Sequence, residues 1–289
     1  MLILNSPQIT QETCLRWKKE NTLAFVPTMG CLHEGHLELI KKARTLASKV
    51  IVSIFVNPLQ FGPNEDFAKY PREFDQDCEK LEKLEVDLVF HPSAREFYPE
   101  GFATHLTMGK ITERLCGQFR PGHFDGVATV VLKLLQTVAC DFALFGQKDF
   151  QQLRVIEQLT RDLNLAVSIV PHPIVRDHDQ VALSSRNSYL STEERNWATK
   201  IPQALELAHR LIANNPQLKV SDLLTSVRQL LLSVPLKIQY VEITEGPNLS
   251  ISQVDSKLLE LNLPHLFIAV YAGTTRLIDN SALKPMLEV

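Results

Sequence analysis

Phe25-Val-Pro-Thr-Met-Gly-Cys-Leu-His-Glu-Gly-His36, running on into Leu37-Glu-Leu-Ile-Lys-Lys-Ala-Arg44, is the stretch whose reading decides the fold. Leu23 to Val26 is a short apolar run of the kind that forms a buried parallel strand. Pro27, with a fixed φ and no N–H for a ladder, is expected to end it. Gly30 supplies a turn without a side chain. From about His33 the apolar positions Leu37, Leu39, Ile40 and Ala43, then Leu46 and Ala47, take helical spacing. Strand, glycine turn and helix follow one another, with two imidazoles three residues apart on the first helical turn, where i and i+3 share a face. A helix start offers unpaired N–H groups and the positive dipole end, which together bind anions. His33 and His36 suit such a site to a phosphate that gains charge during reaction. Gly35 leaves room for a nucleoside to approach the backbone. Two ordinary surface histidines are the plainer reading, and a zinc pair a third. Zinc needs further ligands at ligand spacing, and no Cys or His cluster supplies them, so no metal ligands are assigned.

Working outward, residues 1–20 read as a strand leading into an amphipathic helix around Ile9 to Trp17. Val50 to Val56 is a β-branched run expected to lie beside the first strand. It empties into the loop Asn57-Pro-Leu-Gln-Phe-Gly-Pro-Asn64 at the strand's carboxyl end, where open α/β sheets bind ligands. Asn57 and Gln60 are therefore candidates for holding a small polar substrate; satisfying the turn's own backbone is the equal alternative. A charged helix over Phe74–Leu84, a strand over Val86–Phe90 and an irregular rim over Ser93–Gly117 follow. Arg120 and His123 are placed on a loop before an apolar helix over Val127–Val138, a position suited to an anion, with a structural turn as the alternative. Asp141 to Phe145 is another strand, followed by Gly146-Gln-Lys-Asp149 and a helix over Phe150–Leu163. Lys148 is placed to neutralise phosphate charge, and Asp149 to cap the helix or meet Mg²⁺ through water. Val167 to Ile169 is one more strand.

After Pro171 to Asp177 the alternation stops. Helices are expected near 192–212, behind the capping signal Ser191-Thr-Glu-Glu194, and near 221–232. Strands are expected at Ile238–Ile243 and Leu266–Val270. The division is domain 1–175, an α/β parallel-sheet domain, and domain 176–289, a small α+β unit. Ser184, Ser185 and Arg186 at the junction match a phosphate clamp of hydroxyls and a guanidinium fork; no Gly-x-Ser-x-Gly elbow supports a serine nucleophile.

With 289 residues, 45% hydrophobic and 22% charged, the chain is an ordinary globular sequence. A net charge of −3 gives no basic footprint for nucleic acid. No apolar run is long enough for a membrane span, and the N-terminus lacks the features of a signal peptide. The odd, scattered cysteines (14, 31, 78, 116, 140) point to a reducing, cytoplasmic setting rather than a disulfide framework. Cys31 is read as a small residue in a turn rather than a catalytic thiol.

The ordered set of motifs resembles the pantothenate synthetases, pantoate–β-alanine ligases within the wider His-x-Gly-His nucleotidyltransferase superfamily. The matching stretches are Val26-Pro-Thr-Met-Gly through His33-Glu-Gly-His36, Ser53 to Pro58 with Gln60-Phe61, and Tyr70-Pro-Arg72. They continue through Arg120 to Phe124, Phe145 to Asp149 with Gln151-Gln152, Leu183 to Asn187, and Arg276 to Asn280. The chain departs from the family pattern at Gln147 for a common Glu, Gln180 for a common Gly, Cys116 for a frequent Glu, and Asp177-His178 for a usual Glu-Pro.

The resemblance implies a Rossmann-like N-terminal domain and a C-terminal lid, in a cytoplasmic, homodimeric ligase dependent on ATP and Mg²⁺. Its substrates would be pantoate, β-alanine and ATP, joined through a pantoyl-adenylate. Met29, Gly30, Cys31, Leu32, His33, Glu34, Gly35 and His36 would line ATP, with His36 the proton donor. Gly146, Gln147, Lys148, Asp149, Val175, Leu183, Ser184, Ser185 and Arg186 would complete that site, and Gln60 and Gln152 would hold pantoate. Two rivals stand beside this reading. One is a nucleotidyltransferase that moves AMP onto a phosphate acceptor; the other is a non-catalytic nucleotide sensor.

Overall fold

The computed structural model describes residues 1–63 and 65–283. Asn64, at the end of the loop read after the second predicted buried strand, and residues 284–289 of the second predicted domain lie outside the described residues. The chain packs as two compact units. One takes Met1–Gln147 and Gln152–Pro173; the other takes Lys148–Gln151 and the chain from Ile174 onward.

The first unit runs β1 (Leu2–Leu4), α1 (Pro7–Trp17), β2 (Leu23–Thr28), α2 (Glu34–Leu46), β3 (Lys49–Ile54), α3 (Phe74–Lys83), β4 (Leu88–Phe90), α4 (Ala94–Phe97), α5 (Cys116–Phe119), α6 (His123–Val138), β5 (Phe142–Gly146), α7 (Phe150–Asp162, from Gln152 on) and β6 (Ser168–His172). All strand pairs are parallel, in the order β1-β4-β3-β2-β5-β6. Strand order reverses between β2 and β5, so the loops after these two strands flank the crevice where such sheets bind ligands. β2 is buried nearly throughout, and Val26, Val50 and Val52 pack with Ile40 and Ala43 of α2 and with Leu81 of α3.

Pro27 does not end β2. The strand continues to Thr28, and Pro27 stands opposite Ser53 of β3. Thr22 and Thr28 give their carbonyls to Lys49 and Phe55 on the β3 side, whereas Leu23 gives its carbonyl to Asp141 on the other side. Residues alternate in this way along a parallel strand, so Pro27 turns its missing N–H toward β5. That ladder pairs β2 only at Ala24 and Phe25, and the missing donor therefore costs no sheet bond. A second correction concerns α6, which starts at His123, four residues before the expected Val127. Gly122, at φ +77°, makes the turn into it. The rim between Ser93 and Gly117 is also more ordered than expected, with α4 capped by a Ser93–Glu96 capping box.

The second unit holds α8 (Thr192–Ala198), α9 (Lys200–Asn214), α10 (Val220–Leu231), β7 (Leu236–Glu245), β8 (Ser250–Ile251), β9 (His265–Ala272) and β10 (Thr275–Ala282). Its antiparallel sheet has the order β10-β9-β7-β8. The single helix expected over 192–212 is two helices that meet at Thr199, behind the Ser191–Glu194 capping box. Residues Leu205, Ala208, Leu223 and Val227 of α9 and α10 bury against Val241, Ile268 and Val270 of the sheet. β8 and β10 are additions to the sequence reading. The polar run Thr275–Ala282 pairs with β9 along its full length, because neighbouring hydrogen bonds override weak strand propensity.

Candidate active site

At the carboxyl end of β2 the chain makes a tight turn and enters α2. Gly30 at φ +82° and Cys31 at φ +50° are both left-handed. A Cβ on Gly30 would lie 3.0 Å from Ile54 Cγ2 and 3.1 Å from Asp77 Oδ2, so only glycine fits there without movement. The turn is held from outside by α3. Asp77 Oδ2 accepts the Cys31 N–H and Oδ1 accepts the Leu32 N–H, each at 2.7 Å, while Lys80 Nζ donates to the Leu32 carbonyl at 2.7 Å. Burial pushes the Asp77 carboxyl up; the two N–H donors and Lys80 oppose that shift. The Cys31 thiol is raised by burial and then by Glu73 and Asp77, against Lys80, so it is a poor source of thiolate.

His33 is the N-cap of α2. Its Nδ1 accepts the Gly35 N–H at 3.1 Å, and His36 Nδ1 accepts the His33 N–H at 3.3 Å, which makes a capping box of two imidazoles. The rings lie 4.1 Å apart between centroids. The rings do share a face, as the spacing predicts. A backbone N–H can only donate, so each Nδ1 must carry a lone pair, and each ring proton sits on Nε2. Both rings are thereby set as Nε2–H donors, the form that stabilises charge gathering on a phosphate oxygen. Glu34 points outward and pairs with Lys41 at 2.9 Å.

The loop after β3 carries Asn57 and Gln60. Asn57 is 1% exposed. It accepts from Leu59 N–H (3.2 Å) and Tyr98 O–H (2.9 Å) and donates to Gly126 O and Gln60 Oε1 (both 3.1 Å). Gln60 Nε2 lies 3.0 Å from Met29 Sδ, which joins this loop to the one after β2. Arg120 and His123, expected on one loop facing an anion, are arranged differently. Arg120 makes a bidentate pair with Glu65, at 2.6 Å on each side. Its Nη1 donates to His123 Nε2 at 2.9 Å, so His123 keeps its proton on Nδ1 and gives it to the Gln60 carbonyl at 2.8 Å. His123 is the first residue of α6, not a loop residue. Burial raises the Glu65 carboxyl, but the bonds and charge of Arg120 outweigh it and hold Glu65 below the usual range. Gly146 and Gln147 leave the carboxyl end of β5, and Gln152 is half-buried in the first turn of α7.

The second unit holds the remaining sequence candidates. Lys148 Nζ lies 3.7 Å from Asp149 Oδ2. The Lys148 carbonyl accepts from Asn280 Nδ2 at 2.9 Å. Asn280 Oδ1 in turn meets His265 Nε2 at 2.8 Å, and His265 stacks on Phe150. Val175 and Leu183 pair by Leu183 N–H to Val175 O at 3.0 Å. Arg176 makes a bidentate pair with the buried Asp279, at 2.7 and 3.0 Å. Ser184 Oγ accepts the Arg186 N–H at 3.3 Å and caps the 3-10 turn Ser185–Tyr189. Gln180, in place of the family's common glycine, sits at φ +68°.

Sequence reasoning missed Asp77, Lys80 and Tyr98. A signal existed for Asp77: Phe74, Asp77, Cys78 and Leu81 follow helical spacing, so a carboxylate interrupts the buried stripe of α3, and a buried carboxylate needs donors. Nothing local marks Tyr98, whose partner lies 41 residues away.

The family model for pantoate-beta-alanine ligase matches residues 2–282. The chain is 50% identical over 283 residues to pantothenate synthetase of Caldicellulosiruptor saccharolyticus, covering 97% of this chain and 98% of that one. It is 50% identical over 268 residues to the enzyme of Carboxydothermus hydrogenoformans, 91% of each. The crystal structure of pantothenate synthetase from Thermus thermophilus superposes with a TM-score of 0.90 at 40% identity, covering 99% and 100% of the two chains. The Francisella tularensis pantoate-beta-alanine ligase, complexed with beta-gamma ATP and beta-alanine, gives 0.78 at 34% identity over 98% of both. With its strand order, its capped histidine pair and these matches over nearly all of its length, the chain belongs to the pantoate–β-alanine ligase family.

Proposed function

We propose that the chain performs the ATP-dependent condensation of pantoate with β-alanine through the residues described above. The observation that carries this reading is the pair of imidazoles locked as Nε2–H donors beside the sheet's reversal point. The pantoate carboxylate, already anionic, attacks the α-phosphorus of ATP, and diphosphate leaves. The neutral amine of β-alanine then attacks the acyl-adenylate carbonyl; the C–N bond forms, the C–O bond to AMP breaks, and the amine loses a proton. In such chemistry the protein mainly positions groups and stabilises spreading charge. His33 and His36 donate to phosphate oxygens, Lys148 and Arg186 add positive charge, and Ser184 and Ser185 add hydroxyl donors. Gln60 and Gln152 bind pantoate as neutral amides, and Gly146, Gln147, Val175 and Leu183 form backbone walls for the nucleotide.

Mg²⁺ keeps most of its water and binds through one or two carboxylates plus substrate phosphates. Asp149, half-exposed beside Lys148, fits that pattern, and a bound ion would neutralise charge on the leaving diphosphate. Among the described residues there is no group of three or more His, Cys, Asp or Glu placed to hold a metal on its own. We assign 1–175 to substrate binding and 176–289 to the lid, in a homodimer. The five cysteines are free, which fits a reducing cytoplasm. No described helix is long and apolar enough to cross a membrane. Transfer of AMP onto a phosphate acceptor is not favoured by the family match. Diphosphate release from ATP, measured with pantoate and with or without β-alanine, tests the reading. Sustained turnover to AMP and pantothenate with all three substrates supports it; release indifferent to pantoate overturns it.

A further inference from the structure

We propose that Asn57 and Tyr98 are positioning residues that lock the Gln60 side chain with its N–H donors presented, so that Gln60 recognises its substrate by donating to an oxygen. The proposal rests on the pantoate reading and assigns Asn57 a role other than substrate contact. The orientation of the Asn57 amide is decided by two backbone groups. Leu59 N–H can only donate, so the atom facing it is Oδ1; Gly126 C=O can only accept, so the atom facing it is Nδ2. Tyr98 O–H takes the second lone pair of Oδ1, and Gln60 Oε1 takes the second hydrogen of Nδ2. An asparagine side chain has two donor hydrogens and two acceptor lone pairs, and all are occupied within the protein. At 1% exposure, Asn57 has neither surface nor hydrogen-bonding capacity left for a ligand.

The consequence falls on Gln60. Its Oε1 is held by Asn57, and its Nε2 faces only the thioether of Met29, a weak acceptor that is readily exchanged for an anionic oxygen. The Gln60 backbone is pinned separately by His123 and Arg120. Tyr98 is itself fixed. Its ring lies 5.2 Å from Phe97 and 5.0 Å from Phe102 between centroids, and Lys133 Nζ sits over all three rings at 4.9–5.7 Å. Burial pushes the Tyr98 phenol up, so the donating proton stays in place. Gly126 completes the arrangement: a Cβ there would fall 2.1 Å from Leu59 O, and α6 could not come close enough to receive the Asn57 bond.

The test is steady-state kinetics on the full chain with four variants: Gln60→Ala, Gln60→Glu, Tyr98→Phe and the double variant Tyr98→Phe/Gln60→Ala. Gln60→Ala should raise the pantoate KM about 10-fold with the ATP KM unchanged, the size of a lost hydrogen bond to a charged group. Gln60→Glu keeps the shape but offers no donor, and should be worse than Gln60→Ala, at roughly 100-fold. Tyr98→Phe keeps the ring and the fold. It should cost about 5-fold in pantoate KM alone and nothing further in the Gln60→Ala background. A Gln60→Glu enzyme that binds pantoate as well as the wild type would overturn the donor assignment. A Tyr98→Phe penalty that persists in the double variant would show Tyr98 acting by another route and overturn its positioning role. A Gln60→Ala enzyme with wild-type pantoate KM would overturn the pantoate reading itself, and the proposal with it.

Discussion

The His33–His36 turn and the Asn57–Gln60 loop lie at the ends of adjacent strands and are built by opposite means. The first arranges its two imidazole rings by bonds spanning two and three residues, from Gly35 N–H to His33 and from His33 N–H to His36. The second adds distant partners to the local bonds of Asn57 with Leu59 and Gln60. Tyr98 lies 41 residues away, Arg120 to Glu65 spans 55, His123 to Gln60 spans 63, and Gly126 to Asn57 spans 69. A short-range device is present as soon as the helix forms; a long-range one exists only once α4, α5 and α6 have packed. Asp77 is where the two schemes meet, since α3 clamps even the histidine turn from 46 residues away.

Removing that clamp should give the largest effect. Asp77→Ala leaves two buried N–H groups without an acceptor, a loss of about 3 kcal/mol in urea unfolding. Pantoate-dependent ATP–diphosphate exchange should fall roughly 100-fold as the histidines shift. Exchange at the wild-type rate would show that the capping box holds the turn by itself. Gly126→Ala tests the other loop. Its methyl would meet the Leu59 carbonyl at 2.1 Å, so stability should drop by about 2 kcal/mol and the pantoate KM should rise while the ATP KM holds. Equal changes in both would mean that the two loops are not separable.

Glu65 offers a pH-dependent test. Its folded carboxyl is held below its unfolded value, so it contributes stability above the ordinary carboxylate range that is lost as pH falls through the depressed value. Unfolding free energies of wild type and Glu65→Gln from urea titration should therefore differ by about 1 kcal/mol at pH 7 and converge in acid. A constant difference across pH would remove the ion pair as the cause. The smallest effect belongs to Gln180→Gly. It relieves a left-handed non-glycine residue at φ +68°, offset by the entropy of a new glycine, for a net gain of about 0.5 kcal/mol by thermal melting.

Much of the fold was legible because its signals are local. The apolar runs at 23–26 and 50–56, the glycine turn at Gly30, and the helical spacing of Leu39, Ile40 and Ala43 predicted strand, turn and helix where they are found. The misreadings have a common origin. Pro27 looked like a terminator because nothing local says which neighbouring strand its missing N–H faces. Thr275–Ala282 did not look like a strand because β9, rather than its own residues, recruits it. In the site the histidine pair was visible, whereas Asp77 required reading a charged residue on a buried stripe as a device rather than as noise.

The strand, glycine turn and helix around Gly30, the paired imidazoles at a helix start and membership of the ligase family were determined by the sequence alone, since short spacing and ordered motifs carry all three. Only the tertiary structure decided which polar side chains are paired with one another. Arg120 is matched to Glu65, and Asn57 is filled by Leu59, Tyr98, Gly126 and Gln60. The physical reason is that a hydrogen bond has a direction set by both partners. When the partner lies 40 to 70 residues along the chain, that direction exists only after the chain has packed.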